Sequence, residues 1–97
     1  ELLEHFVARV EQHNPKLNAV VAKDIERARK LALEADEAQA RGENLGVLHG
    51  LPMTIKDAYE VEGIVSTGGA PVWKDHVPKR HRRLDPHACA SLRCVRT

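Results

Sequence analysis

The apolar residues of this chain change period once, near Leu51, and that change limits the fold more than any other feature. Leu2, Leu3, Phe6, Val7 and Val10 recur at the one, three and four residue steps that line one face of a helix, with Glu4, Glu11 and Gln12 elsewhere. Asn14 and Pro15 are expected to end this helix, because the residue before a proline is pushed out of the α region. The following "LNAVVA" then reads as a short buried strand. Asp24 is placed to cap a second helix, in which Ile25, Ala28, Leu31, Ala32, Ala35 and Ala38 form an alanine-rich stripe and Gly42 closes the C-terminus. Such small residues imply close packing against a neighbour, while Glu26, Arg27, Arg29, Lys30, Glu34, Asp36 and Glu37 form a solvated face. After "GENLGVLHG" the pattern alternates: Leu51, Met53 and Ile55 on one side of a strand, Pro52, Thr54 and Lys56 on the other. The order helix, strand, helix, strand predicts an α/β fold.

With 97 residues the chain supports one small domain with a modest core. The longest apolar runs fall far short of the roughly 18 residues a membrane span needs, and the N-terminus lacks the basic-then-apolar pattern of a secretory leader. No membrane association and a cytoplasmic location are expected. "ELLEHFVARVEQHNP" begins already in helical period, so the chain reads as a fragment of something longer. Its net charge of +1 conceals a division: residues 1–78 hold nine Lys and Arg against thirteen Asp and Glu, and residues 79–97 hold six against one. Between the strand and that basic tail, "VEGIVSTGGAPVWKDHVP" carries Gly63, Gly68, Gly69, Pro71 and Pro78, the composition of a long loop with tight turns. Loops of this length are often functional.

Lys56 is the chemically directive residue. A lysine projecting from a strand into a packed site loses hydration, which lowers its pKa toward the range useful for proton transfer. Asp57 points away from it in a regular strand, so the two form no ion pair unless the chain bends there. From pattern alone, surface decoration remains open beside a catalytic base.

The segment from "LNAVVAKDIERARK" to "STGGAPV" resembles the N-terminal part of amidase signature enzymes, over about Glu1 to Pro78. "LHGLPMTIKD" is its most specific element, with "NPKLNAVVA" before it and "STGGA" after it in the family's order and spacing. The resemblance implies an incomplete N-terminal portion of the amidase signature fold, with helices packed on a mixed sheet. It also implies hydrolysis of amides, or transfer of ammonia between carbonyls, by a Ser, cis-Ser, Lys triad. Lys56 is then the catalytic lysine, taking a proton through the bridging serine from the nucleophilic serine and later helping to protonate the leaving amine. Asp57 is expected to support the lysine-bearing turn, and Gly68 and Gly69 to shape a nearby loop. No cofactor and no metal are implied, and the partner is a small-molecule amide substrate in the full-length relative. Both serines lie farther downstream in the family, in a Gly/Ser-rich segment that also supplies the oxyanion donors. Ser66 falls in a block the family uses structurally and Ser91 fits no better, so these residues alone are expected to be inactive. An unfinished core and exposed sheet edges are expected to favour aggregation or partial unfolding.

Residues 79–97, "KRHRRLDPHACASLRCVRT", part from the family, which continues with an amphipathic helix. Pro86 interrupts any helix, apolar periodicity vanishes, and both cysteines, Cys89 and Cys94, occur only here. Codons such as CAC CGT CGT followed by C, for His81-Arg82-Arg83, read one base later as ACC GTC GTC, Thr-Val-Val. A shifted reading frame over 79–97 is therefore expected. Metal binding by His81, His87, Cys89 and Cys94 is a rival, but their spacing does not match familiar structural zinc sites. A disulfide is disfavoured without secretion signals. Nonspecific attraction of nucleic acid or an anionic surface by the clustered Lys and Arg is the other rival, and no recognition motif or stacking platform accompanies it, so no specific nucleic acid is expected. His5, His13, His49 and His76 read as surface or packing residues. Three functional readings follow: an amidase fragment, a fragment of the amidotransferase A subunit that makes Gln-tRNA or Asn-tRNA, or a noncatalytic interaction module. No pattern sets an oligomeric state.

Overall fold

Asn14 and Pro15 do not end the first helix. In the structure, a computed structural model that describes residues 1–44 and 46–80 and the backbone of Arg93–Arg96, helix α1 runs Leu2–Leu17 with Pro15 inside its last turn. A proline there removes only its own N–H bond, and the helix stops soon after at Asn18, whose left-handed backbone (φ 47°) donates its N–H to the Asn14 carbonyl at 2.7 Å. Asn14 explains the next departure as well. Its Nδ2 donates to the Val20 carbonyl at 2.9 Å and its Oδ1 accepts from the Val20 N–H at 2.8 Å. Both groups that Val20 would offer to a ladder are thus taken, and "LNAVVA" contributes only its last residue, Ala22, to a two-residue strand, β1 (Ala22–Lys23).

Helix α2 (Ile25–Ala40) forms where its cap predicts: Asp24 Oδ1 accepts from the Arg27 N–H at 3.1 Å. Its alanine stripe is the packing face. Ala28, at 1% exposure, sits against Leu3 and Val7 of α1, with Ile25 and Ala32 at the edge, and Ala35 and Ala38 are also buried. The opposite face is more engaged than a solvated surface. Arg29 grips Glu4 of α1 with two bonds, Nε to Oε1 at 2.8 Å and Nη2 to Oε2 at 3.0 Å, while its Nη1 reaches Glu26 at 2.9 Å. Arg27 Nη1 donates to the Glu62 carbonyl at 3.0 Å and so ties α2 to the long loop.

Strand β2 (Pro52–Ile55) follows a turn pinned by His49, whose Nε2 lies 2.8 Å from the Ala35 carbonyl. A carbonyl only accepts, so this nitrogen carries the ring proton. Ile55 is buried with Val61 and Ile64, and Ala22, Leu48 and Met53 pack on the cluster. Two of its three central residues therefore come from the Gly- and Pro-rich loop, which also contains a short 3-10 turn at Pro71–Trp73. The sheet is mixed, in the order β1-β3-β2. Strand β3 (Arg93–Arg96) runs antiparallel to β1 and parallel to β2, with Pro52 opposite Arg93 and Ile55 opposite Arg96. The basic tail thus contributes the central strand, where no strand was expected. His81, Arg82, Arg83, Pro86, His87, Cys89 and Ser91 lie outside the described residues.

Candidate functional site

Strand β2 stops at Ile55 and the chain turns at once, the Tyr59 N–H closing onto the Lys56 carbonyl at 3.0 Å. Lys56 is thus the first residue beyond the carboxyl end of a strand with a parallel neighbour. It is exposed, so the dehydrated setting expected from strand alternation is not formed by these residues. The alternation placed Lys56 within the pleat, whereas it stands past the last pleated residue. It lines a cleft of about 730 Å³ together with Ala19, Ala22, Thr67, Gly68 and Lys74. Among the described residues no ion pair engages the Lys56 amine.

Asp57 is held by the "STGG" loop. Its Oδ1 accepts from the Thr67 N–H at 3.1 Å and its Oδ2 accepts the Thr67 hydroxyl. Ser66 Oγ makes a longer contact, 3.4 Å, with the Asp57 carbonyl. Gly68 and Gly69 follow with φ +55° and +79°, consecutive left-handed residues that a side chain would strain. They fold the loop back so that the Gly69 N–H donates to Thr67 Oγ1 at 3.1 Å. Ser66 itself is 6% exposed and packed into this junction, its N–H donating to the His76 carbonyl at 2.8 Å.

Behind the Asp57–Thr67 bridge lies a second cleft of about 340 Å³. His76 Nε2 lies 2.9 Å from Glu60 Oε1 there, and the Trp73 ring meets His76 edge-on at 5.2 Å between centroids. Asp57, Ala58, Thr67 and Gly68 line both clefts, so the bridge is the partition between them. Among the described residues no group of three or more His, Cys, Asp and Glu is arranged to hold a metal, and no helix is long and apolar enough to cross a membrane. The residues missed from sequence are Thr67 and Lys74. A threonine two positions before the second of two glycines is a local turn signal that pointed to the first, and nothing near Lys74 marked it.

Residues 1–84 match the family model described as Amidase. This chain belongs to the amidase family. The amidase segment is 42% identical over 77 residues to an indoleacetamide hydrolase of Bradyrhizobium diazoefficiens, a match covering 79% of this chain and 15% of that protein. It is 40% identical over 77 residues to an acylamidase of Rhodococcus erythropolis, with 79% and 16% covered. Against the A subunit of a glutamyl-tRNA(Gln) amidotransferase of Anaeromyxobacter sp. (strain K) it is 36% identical over 78 residues, with 80% and 16% covered. A solved chain, from a study of a vestigial protein complex and the evolutionary origins of an s-triazine catabolic enzyme, superimposes with a TM-score of 0.82 at 27% identity, covering 97% of this chain and 21% of that one. The segment therefore spans about one sixth of the length of the relatives it matches, and its α/β architecture is that of the corresponding part of the amidase fold.

Proposed function

We propose that this segment supplies the proton-handling lysine of an enzyme that cleaves carbon–nitrogen amide bonds in a small-molecule substrate. The observation that carries the reading is the place of Lys56: at the carboxyl end of β2, at the mouth of a cleft, with its acidic neighbour engaged by Thr67. Ligands of sheets with parallel strands collect at such strand ends. An amine left without an ion pair there is available to take a proton from a hydroxyl nucleophile and return it to the leaving nitrogen. The downstream serines that the resemblance requires are not among these 97 residues, so Lys56 acts as the distal member of a triad completed elsewhere. The proton transfers use side chains alone and call on no cofactor. A cytoplasmic setting belongs to the same proposal and is checked by cell fractionation.

The test is a chimera in which the matching stretch of the Rhodococcus acylamidase is replaced by this one. The chimera hydrolyses amides, and Lys56→Ala lowers kcat by about 10²-fold or more with the circular dichroism unchanged. Equal rates with lysine and alanine would overturn the proposal. The same lysine serves a transfer reaction of the kind named by the amidotransferase relatives. Product analysis separates the two, since hydrolysis releases free ammonia and transfer delivers it to a second acyl group.

A further inference from the structure

We infer that Lys74 is a specificity-determining residue that makes the Lys56 cleft favour amide substrates carrying a second, anionic group such as a carboxylate. The inference rests on the Lys56 cleft as the site of amide cleavage and adds the chemical class of what enters it. Lys74 follows the 3-10 turn Pro71–Trp73, and its N–H donates to the Pro71 carbonyl at 3.2 Å. The turn sits at the division between the two clefts. Trp73 lines the one that holds the Glu60–His76 pair, and Lys74, the next residue, lines the one that holds Lys56. The turn bond uses only the Lys74 backbone. Among the described residues no ion pair engages its side chain, and the same is true of Lys56.

The charged side chains among the described lining residues are Lys56, Lys74 and Asp57, two cations against one anion. Asp57 accepts the Thr67 N–H and hydroxyl and forms no salt bridge with either lysine. Ala19, Val21, Ala22 and Val65 add apolar surface to the cleft. A Cβ at Gly68 or Gly69 would meet no heavy atom within 4 Å, so the space beside that loop is open. Apolar walls with an excess of fixed positive charge suit a ligand with a hydrocarbon body and a negative end. An ammonium is a compact charge on a flexible stem, and apolar surroundings keep its attraction above the value in bulk water. With Lys56 assigned to the reacting amide, the second charge falls to Lys74.

The experiment assays the acylamidase chimera with two matched pairs of amides. Succinamate carries its carboxylate on the acyl side and has succinamide as its neutral counterpart; N-acetyl-β-alanine carries it on the amine side and has N-isopentylacetamide. In at least one pair, Lys74→Gln lowers the anionic-to-neutral ratio of kcat/KM by about 10-fold, mainly through KM. Lys74→Glu lowers it further and Lys74→Arg keeps it. The pair that responds identifies the side on which the charge sits. Lys30→Glu, the same change of charge at an exposed position of α2 outside the cleft, leaves both ratios unchanged. In the 97-residue chain, an anionic amide shifts the NMR amide resonances of Gly68, Gly69 and Lys74 more than its neutral counterpart does, and Lys74→Glu removes the difference. Ratios that Lys74→Glu leaves unchanged in both pairs, or that fall equally in Lys30→Glu, would overturn the inference. So would equal shifts from the charged and neutral amides. If Lys56→Ala leaves the chimera fully active, the role of Lys56 falls, while the shifts in the 97-residue chain still decide whether Lys74 selects for charge.

Discussion

Replacing Asn14 by alanine tests whether one side chain substitutes for a missing stretch of sheet. Asn14 satisfies both the N–H and the carbonyl of Val20, at 2.8 and 2.9 Å, beside a Val20 side chain that is only 8% exposed. Alanine is the better helix former by roughly 0.5 kcal/mol, so α1 itself gains slightly. Against this, two hydrogen bonds are lost, and two backbone groups next to a buried side chain depend on partial hydration. At about 1 kcal/mol each for groups that water partly reaches, the net loss is roughly 1.5 kcal/mol. That is a large share of the ~5–15 kcal/mol that stabilises an ordinary domain. With a urea dependence of ~1 kcal/mol/M for a chain of this size, the unfolding midpoint falls by about 1.5 M. Helix circular dichroism and the fluorescence of Trp73, the single tryptophan, report the transition. Asn14→Asp keeps an acceptor for the Val20 N–H but sets a carboxylate oxygen against its carbonyl, so it recovers little. Asn18, Ala19, Val21 and Ala22 line the Lys56 cleft, and the alanine variant therefore also loosens that wall. A midpoint shift under about 0.3 M would show that Val20 rehydrates without cost and that Asn14 does not replace the ladder.

Gly68→Ala is destabilising by about 1–2 kcal/mol, the cost of a left-handed L-residue. A Cβ at that position, with φ +55°, meets no heavy atom within 4 Å, so the loss in thermal unfolding is conformational, and Gly68→Asn loses less. The Arg29 hydrogen bond, reinforced by its charge, holds the Glu4 carboxyl below its ordinary value of 4.5. Between the folded and unfolded values the unfolded chain binds more protons, so this contribution is fully present above pH 4.5 and disappears as pH falls through the lower folded value. Arg29→Met is therefore mildly destabilising at neutral pH and neutral in strong acid. Because both side chains are about half exposed, the effect is small and shrinks with added salt. For residues 79–97, the coding DNA read one base later is expected to yield an apolar, amidase-like helix; an alternative frame without one would sink the frameshift explanation.

What could be read along the chain was whatever is settled locally. Asp24 caps α2 through a residue three positions on, and the alanine stripe names its own packing face. The failures share a different origin. Val61 and Ile64, the apolar members of a stretch punctuated by glycine and proline, form most of a core cluster with Ile55, because turn residues announce where the chain bends and not what it covers. The basic composition of the tail hid β3, whose pairing with β2 spans some forty positions.

Lys56 shows the same boundary within the site. Its motif marked it, but its separation from Asp57 was expected from the pleat of a continuing strand, and the strand has already ended. The carboxylate is nonetheless turned elsewhere, because Thr67, ten residues on, takes both its oxygens. A pleat would fix that separation for any residue in the next position. Here the side chain beside the lysine instead contacts a residue of the "STGG" loop, so its direction is set by a tertiary contact that no local pattern in β2 could show.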